Sequence, residues 1–135
     1  MKEEDKKLLL RDLCARLPYR VKGNYQNSDD ELLRSVTIMY RYLETNGMVM
    51  TGDIKPYLFP LSSMTEEQKE ELENLGWHFD NLEIHNVSEC FGTYREYVAH
   101  LDCFELIDWL NKNHFDYRGL IEKGLAIDCT NLNIY

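Results

Sequence analysis

The stretch Val36-Thr37-Ile38-Met39-Tyr40-Arg41-Tyr42-Leu43-Glu44-Thr45-Asn46-Gly47-Met48-Val49-Met50 decides how the chain is read. Its first half is rich in β-branched and aromatic residues, side chains that fit a pleated surface. Asn46-Gly47 then supplies two residues that tolerate positive φ, the demand of a type I′ hairpin turn. The pattern predicts a β-hairpin over about 33–55, with strands near 33–45 and 48–55. A two-residue loop sets Leu43 against Met50 and Met39 against Ile54 on one face. Tyr42 beside Thr51 and Tyr40 beside Asp53 form the other. Both faces keep apolar character, so the pattern leaves open which one is buried.

Working toward the N-terminus, residues 3–17 read as an amphipathic helix. Leu9, Leu13 and Leu17 recur every four positions, and Leu10 with Cys14 widens the stripe. On that face Cys14 reads as a core residue. Glu3, Glu4 and Asp5 lead the helix and Arg16 closes it, as the helix dipole favours, and Pro18 stops it. A short strand is expected at 19–22, followed by a polar loop over 23–30. Toward the C-terminus, two prolines make 55–60 extended or irregular, because proline gives no ladder bond. Thr65 with Gln68 forms a capping box for a surface helix that ends near Leu75, at Gly76. One strand is expected over 77–85. A third helix is expected over about 102–113, capped by Asp102, with Cys103, Leu106, Ile107 and Leu110 inward. A short fourth helix, about 117–123, is capped by Asp116 and ended by Gly124.

These elements predict an α+β fold: a small antiparallel sheet built on the hairpin, with N-terminal and C-terminal helices packed against it. The 135 residues suit a single domain, 1–135, and no linker, repeat or low-complexity run divides them. The composition, 44% hydrophobic and 29% charged, is that of a globular chain. No signal peptide or membrane span is visible, so a cytoplasmic location is expected, with the four cysteines as free thiols. Net charge is −9, concentrated after residue 22, and such a body repels nucleic-acid phosphates and anionic lipid.

Two further stretches carry a resemblance. Asp53-Ile54-Lys55-Pro56-Tyr57-Leu58-Phe59-Pro60-Leu61-Ser62-Ser63-Met64-Thr65-Glu66-Glu67 is one; residues 108–126, beginning Asp108-Trp109-Leu110-Asn111, are the other. Together with Asp12-Leu13-Cys14-Ala15-Arg16-Leu17-Pro18-Tyr19 they resemble a set of small uncharacterised proteins from gut bacteria and their phages or mobile elements. That resemblance implies a bacterial or phage-infected cytoplasm and an accessory role. It brings no reaction, ligand or catalytic residue with it, and the middle of the chain, 77–102, departs most from the pattern.

Chemistry-bearing constellations are few. His114-Phe115-Asp116-Tyr117-Arg118 puts an imidazole, a carboxylate and a guanidinium within five positions at a helix corner. With Trp109 these residues (His114, Asp116, Tyr117 and Arg118) are the binding candidate, a clamp for an anionic ligand or partner. Read structurally, Asp116 caps a helix, Arg118 pairs with a carboxylate or carbonyl, and Phe115 plugs the core. Caps and corner pairs are far commoner than sites, so the structural reading is favoured. Cys90, His100 and Cys103 are the alternative metal set, with His78, His85 and His114 as further imidazoles. Zinc needs three or four converging ligands, and the second element of such a set is missing from the spacing.

No nucleophile elbow, phosphate-cradling glycine loop or His-Glu-x-x-His helix is present, and no cofactor is expected. The acidic helix bearing Glu66, Glu67, Glu70, Glu71 and Glu73 reads as a solvated face. The leading expectation is a non-catalytic binding protein with a protein partner, without nucleic acid or membrane, and with a homodimer through the hairpin edge as one option. The alternative is a small enzyme or metal-binding domain using His and Cys of 78–114.

Overall fold

A computed structural model describes residues 1–26, 34–80, 83–86 and 95–135, with the side chains of 80, 85, 86 and 95–103 outside that description. The class is α+β, as the sequence predicts. The chain divides into two compact units, Met1–Pro60 with His114–Tyr135, and Leu61–Asn113.

The first unit opens with α1, Glu3–Arg16. Its inward face is Leu9, Asp12, Leu13 and Arg16, the i, i+3, i+4, i+7 set of one helical side. Cys14 is exposed and Leu10 is too, so the expected widening of the stripe runs the other way around the helix. Leu17–Tyr19 forms a short 3-10 turn, and Arg20, at φ +56, swings the chain into β1, Lys22–Tyr25. This corrects the expected strand at 19–22 and the first part of the expected loop; 27–30 lie outside the described residues.

The hairpin over 33–55 does not form. β1 pairs antiparallel with β2, Val36–Thr37, on one side and with β3, Ile54–Pro60, on the other, so it stands between the two segments that were to pair. Gly23 permits this close approach: a Cβ there would lie 2.7 Å from Ile54 Cγ2 and 2.9 Å from the Lys55 carbonyl oxygen. Between β2 and β3 the chain makes a 3-10 turn, Tyr40–Leu43, and then tight turns held by Gly47 N–H to Glu44 O and Val49 N–H to Tyr42 O. Gly47 is not at positive φ. It serves close approach instead, since a Cβ on it would meet the Tyr42 carbonyl oxygen at 2.4 Å. Leu43, Met50 and Ile54 still share one core, with Leu9, Leu13, Val21, Ile38 and Leu58, but turns bring them there rather than a ladder. The hairpin edge that was to support a homodimer is likewise not formed.

β3 is the central strand despite Pro56 and Pro60, so of the two readings of 55–60, extended or irregular, the extended one holds. Its bonds run through other residues, Phe59 N–H to His114 O and Cys129 N–H to Leu58 O, and Gln26 N–H donates to Asp53 O just before the strand. β3 also pairs in parallel with β6, Phe115–Asp116, and with β7, Ile127–Asp128. The sheet is therefore mixed, not purely antiparallel. The expected helix over 117–123 is reduced to a single turn. Gly119 at φ +74 holds a backbone no helix accepts, and the turn closes with Gly124 N–H to Ile121 O and Leu125 N–H to Leu120 O.

The second unit begins with a 3-10 turn, Leu61–Ser63, and α2, Glu66–Asn74, whose Thr65–Gln68 capping box is complete in both directions and whose exit turns at Gly76, φ +93. The expected strand over 77–85 is two strands, β4, Trp77–Asp80, and β5, Glu83–Asn86, paired antiparallel with Trp77 opposite Asn86. α2 packs on β4. The last helix, α3, runs Arg95–Lys112; it starts well before the expected cap at Asp102, so Asp102 lies inside it. Leu106 and Leu110 are buried as predicted, whereas Ile107 is exposed.

Candidate functional site

α1 supplies the floor of the polar corner singled out in the sequence. Leu9 and Leu13 draw one face of the helix into the core, and Asp12 and Arg16, on the same face, go with them. Both side chains are fully buried. Arg16 Nε donates to Asp12 Oδ2 at 2.6 Å and Nη2 to Asp12 Oδ1 at 3.1 Å, the two-pronged arrangement that suits a guanidinium. Nη2 also donates to the Phe115 carbonyl at 2.6 Å, tying α1 to β6. Nη1 is buried without a hydrogen-bond partner. Taking such a pair out of water is costly, and its mutual geometry and the extra carbonyl help to offset that cost.

Four of the five candidate residues gather above this pair. Arg118 Nε stands 3.3 Å from Asp12 Oδ1, so one carboxylate faces two guanidinium groups. The Tyr117 ring lies 5.0 Å from the Arg16 guanidinium carbon and 5.2 Å from that of Arg118, within cation–π range of both. Asp116 is buried and accepts the backbone N–H groups of Arg118, Leu120 and Ile121. That is the work of a cap for a turn of otherwise orphaned donors. Trp109 lies on α3 in the second unit, where its indole N–H donates to Glu71 Oε2 at 3.1 Å.

His114 occupies the left-handed region at φ +61, which a residue with a Cβ seldom adopts. Its backbone carbonyl accepts from Phe59 N–H. The imidazole stacks on the Tyr135 ring with centroids 3.5 Å apart and planes 12° apart. It is 8% exposed, and Nδ1 has no hydrogen-bond partner. Burial, with Arg16 and then Lys22 adding to it, lowers its pKa to about 4, so the ring is neutral near pH 7. Tyr135 is held in turn: burial raises its hydroxyl well above the usual phenol range.

Chemically the corner is a neutralised, hydrogen-bonded lock. Its carboxylates are engaged by guanidinium groups and backbone donors. The nearby Cys129 thiol is buried and is pushed up to about 11 by burial and the Asp128 carboxylate, which leaves it protonated and a weak nucleophile at neutral pH. Of the alternative metal set, Cys90 lies outside the described residues, and the side chains of His100 and Cys103 lie outside them too. His78 pairs with Glu73 at 3.0 Å in the second unit. Among the described residues no three His, Cys, Asp or Glu side chains converge as a metal site.

Sequence reasoning missed Asp12, Arg16 and Tyr135. For the first two a signal exists: an Asp and an Arg four apart, on the same helical side as Leu9 and Leu13. For Tyr135 there is none, since its partners lie far away in sequence.

A different surface is open. The turns between β2 and β3 leave Tyr40 70%, Met39 50% and Met48 41% exposed. Arg41, Tyr42, Glu44, Thr45, Asn46, Gly47 and Met48 line a hollow of about 620 Å³ there, and Arg41 lies over the Tyr42 ring. No described helix is long and apolar enough to cross a membrane. The chain matches no protein-family profile, and no curated protein or solved structure matches it.

Proposed function

We propose that this chain is a non-catalytic interaction protein that binds another protein through the loop 39–48. The carrying observation is the exposure of Met39, Tyr40 and Met48 on the same loop whose residues from Arg41 to Met48 line the hollow. Tyr, Met and Arg are the residue types enriched where proteins meet. Methionine adds a flexible, polarizable side chain that adapts to a partner's shape. Lone exposed apolar residues are ordinary on a surface; three on one short loop, beside a concavity, favour a binding edge. The net charge of −9 argues against phosphate backbones as the target. The setting, a bacterial or phage-infected cytoplasm in which the chain acts as an accessory factor, is what the sequence resemblance implies.

The test is affinity capture from a bacterial lysate with three proteins: the parent chain, a Tyr40→Ala/Met48→Ala variant, and Phe104→Ala, which removes an exposed aromatic of α3. A specific partner retained by the parent and by Phe104→Ala, and lost with the loop variant, is the expected result. Equal retention by all three overturns the assignment of the loop.

A further inference from the structure

The seat of Tyr135 is more than packing. The register Gly23 opposite Pro56, Asn24 opposite Lys55 continues to Lys22 opposite Tyr57. At that step the Tyr135 hydroxyl takes up both strands' groups: Lys22 N–H donates to it at 2.8 Å, and it donates to the Tyr57 carbonyl at 2.9 Å. One phenol oxygen thus satisfies a sheet donor and a sheet acceptor that would otherwise stand bare. The ring is flanked by His114 at 3.5 Å, stacked, and by Phe59 at 5.9 Å, tilted by 50°. Lys22 Nζ adds a bond to the Ile134 carbonyl. Two ring walls and a paired donor and acceptor at the end specify a para-substituted phenol. A phenyl ring would leave both backbone groups unmet.

The segment that delivers the ring is held by Thr130 N–H to Asp128 Oδ1, Leu132 N–H to Cys129 O and Lys22 Nζ to Ile134 O, while most of its side chains stand in solvent. Asn131, Leu132 and Asn133 are exposed, Asn133 is at φ +53, and Tyr135 itself is 40% exposed. Beneath its ring, His114 is over nine-tenths buried with Nδ1 unpartnered.

We propose that the slot formed by Lys22, Tyr57, Phe59 and His114 is a binding site for a tyrosine side chain, filled in cis by Tyr135 and able to take a tyrosine presented in trans when the 130–135 segment lifts. This site uses residues other than the 39–48 loop and stands independently of that reading.

The probe is N-acetyl-tyrosinamide, with N-acetyl-phenylalaninamide as its control, titrated onto Tyr135→Ala in the full chain and followed by His114 ring NMR signals and by thermal stability. The expected result is saturable binding of the tyrosine analogue, about tenfold or more tighter than the phenylalanine analogue, with stability regained on binding. The parent chain is expected to show weaker binding because its slot is filled. Equal response to both analogues, or to neither, in a folded variant overturns the proposal. Should Tyr135→Ala fail to fold, Tyr135→Phe keeps the ring and removes only the hydroxyl. Faster hydrogen exchange over 131–134 than in the parent supports the slot, and unchanged exchange overturns it.

Discussion

Asp12–Arg16 on α1 and Glu66–Lys69 on α2 are the same kind of pair, an acid and a base one helical turn apart, placed in opposite surroundings. The first is 2.6 Å long with both side chains at 0% exposure; the second is 3.1 Å with Lys69 at 35% and Glu66 at 90%. In the exposed pair, water screens each charge and would solvate either one left alone. In the buried pair, each charge is tolerable only because the other is there, and Arg118 makes the dependence three-way. Burial does not make the pair a larger source of stability. It makes the loss of one member far more damaging than the pair itself is helpful.

The largest effect is therefore expected from Asp12→Ala, which leaves Arg16 and Arg118 without their shared carboxylate. It should cost on the order of 3–5 kcal/mol, read as a lowered urea midpoint. A cost no greater than that of an exposed substitution would break the contrast between the two pairs.

His114 sharpens it from the pH side. In the native chain its pKa is about 4, against 6.5 for the free side chain, so the unfolded chain binds the proton first. The contribution of neutral His114 is complete above about pH 6.5 and is lost as pH falls toward 4, by up to about 3 kcal/mol. Urea midpoints measured from pH 7 to 4.5 should fall more steeply for the parent than for His114→Gln. Parallel slopes would show that the imidazole titrates in the open.

The smallest effect belongs to Glu66→Gln, expected at under about 0.5 kcal/mol and vanishing near 1 M salt, checked by the same denaturation at two ionic strengths.

How much could be read in advance follows the same division between local and distant chemistry. α2 was legible to the residue at its start because Thr65, Gln68 and Gly76 act on their own neighbours. Asp116 as a cap was legible for the same reason. The sheet was not, because β2, β6 and β7 are two residues long and carry no period, while Gly23-Asn24 gives β1 almost none of the usual strand preference. Asn46-Gly47 pointed to a turn correctly but to the wrong use of its glycine. Asp12 and Arg16 stood in plain view at helical spacing; the habit of sending charges to solvent hid them. The Tyr135 slot depends on register between β1 and β3, which no local pattern encodes.

One unit is assembled from both flanks of the segment that forms the other. During synthesis, Leu9, Leu13, Ile38 and Ile54 leave the ribosome well before Leu120, Leu125 and Ala126, their eventual companions in the core. At elongation rates of about 5–20 residues per second, the nascent front half waits several seconds before those companions are made. Leu61–Asn113 emerges during that interval as one continuous stretch. The newly made chain is thus most exposed to holding chaperones, and to clumping with its neighbours on a polysome, until residues 120–126 complete that core.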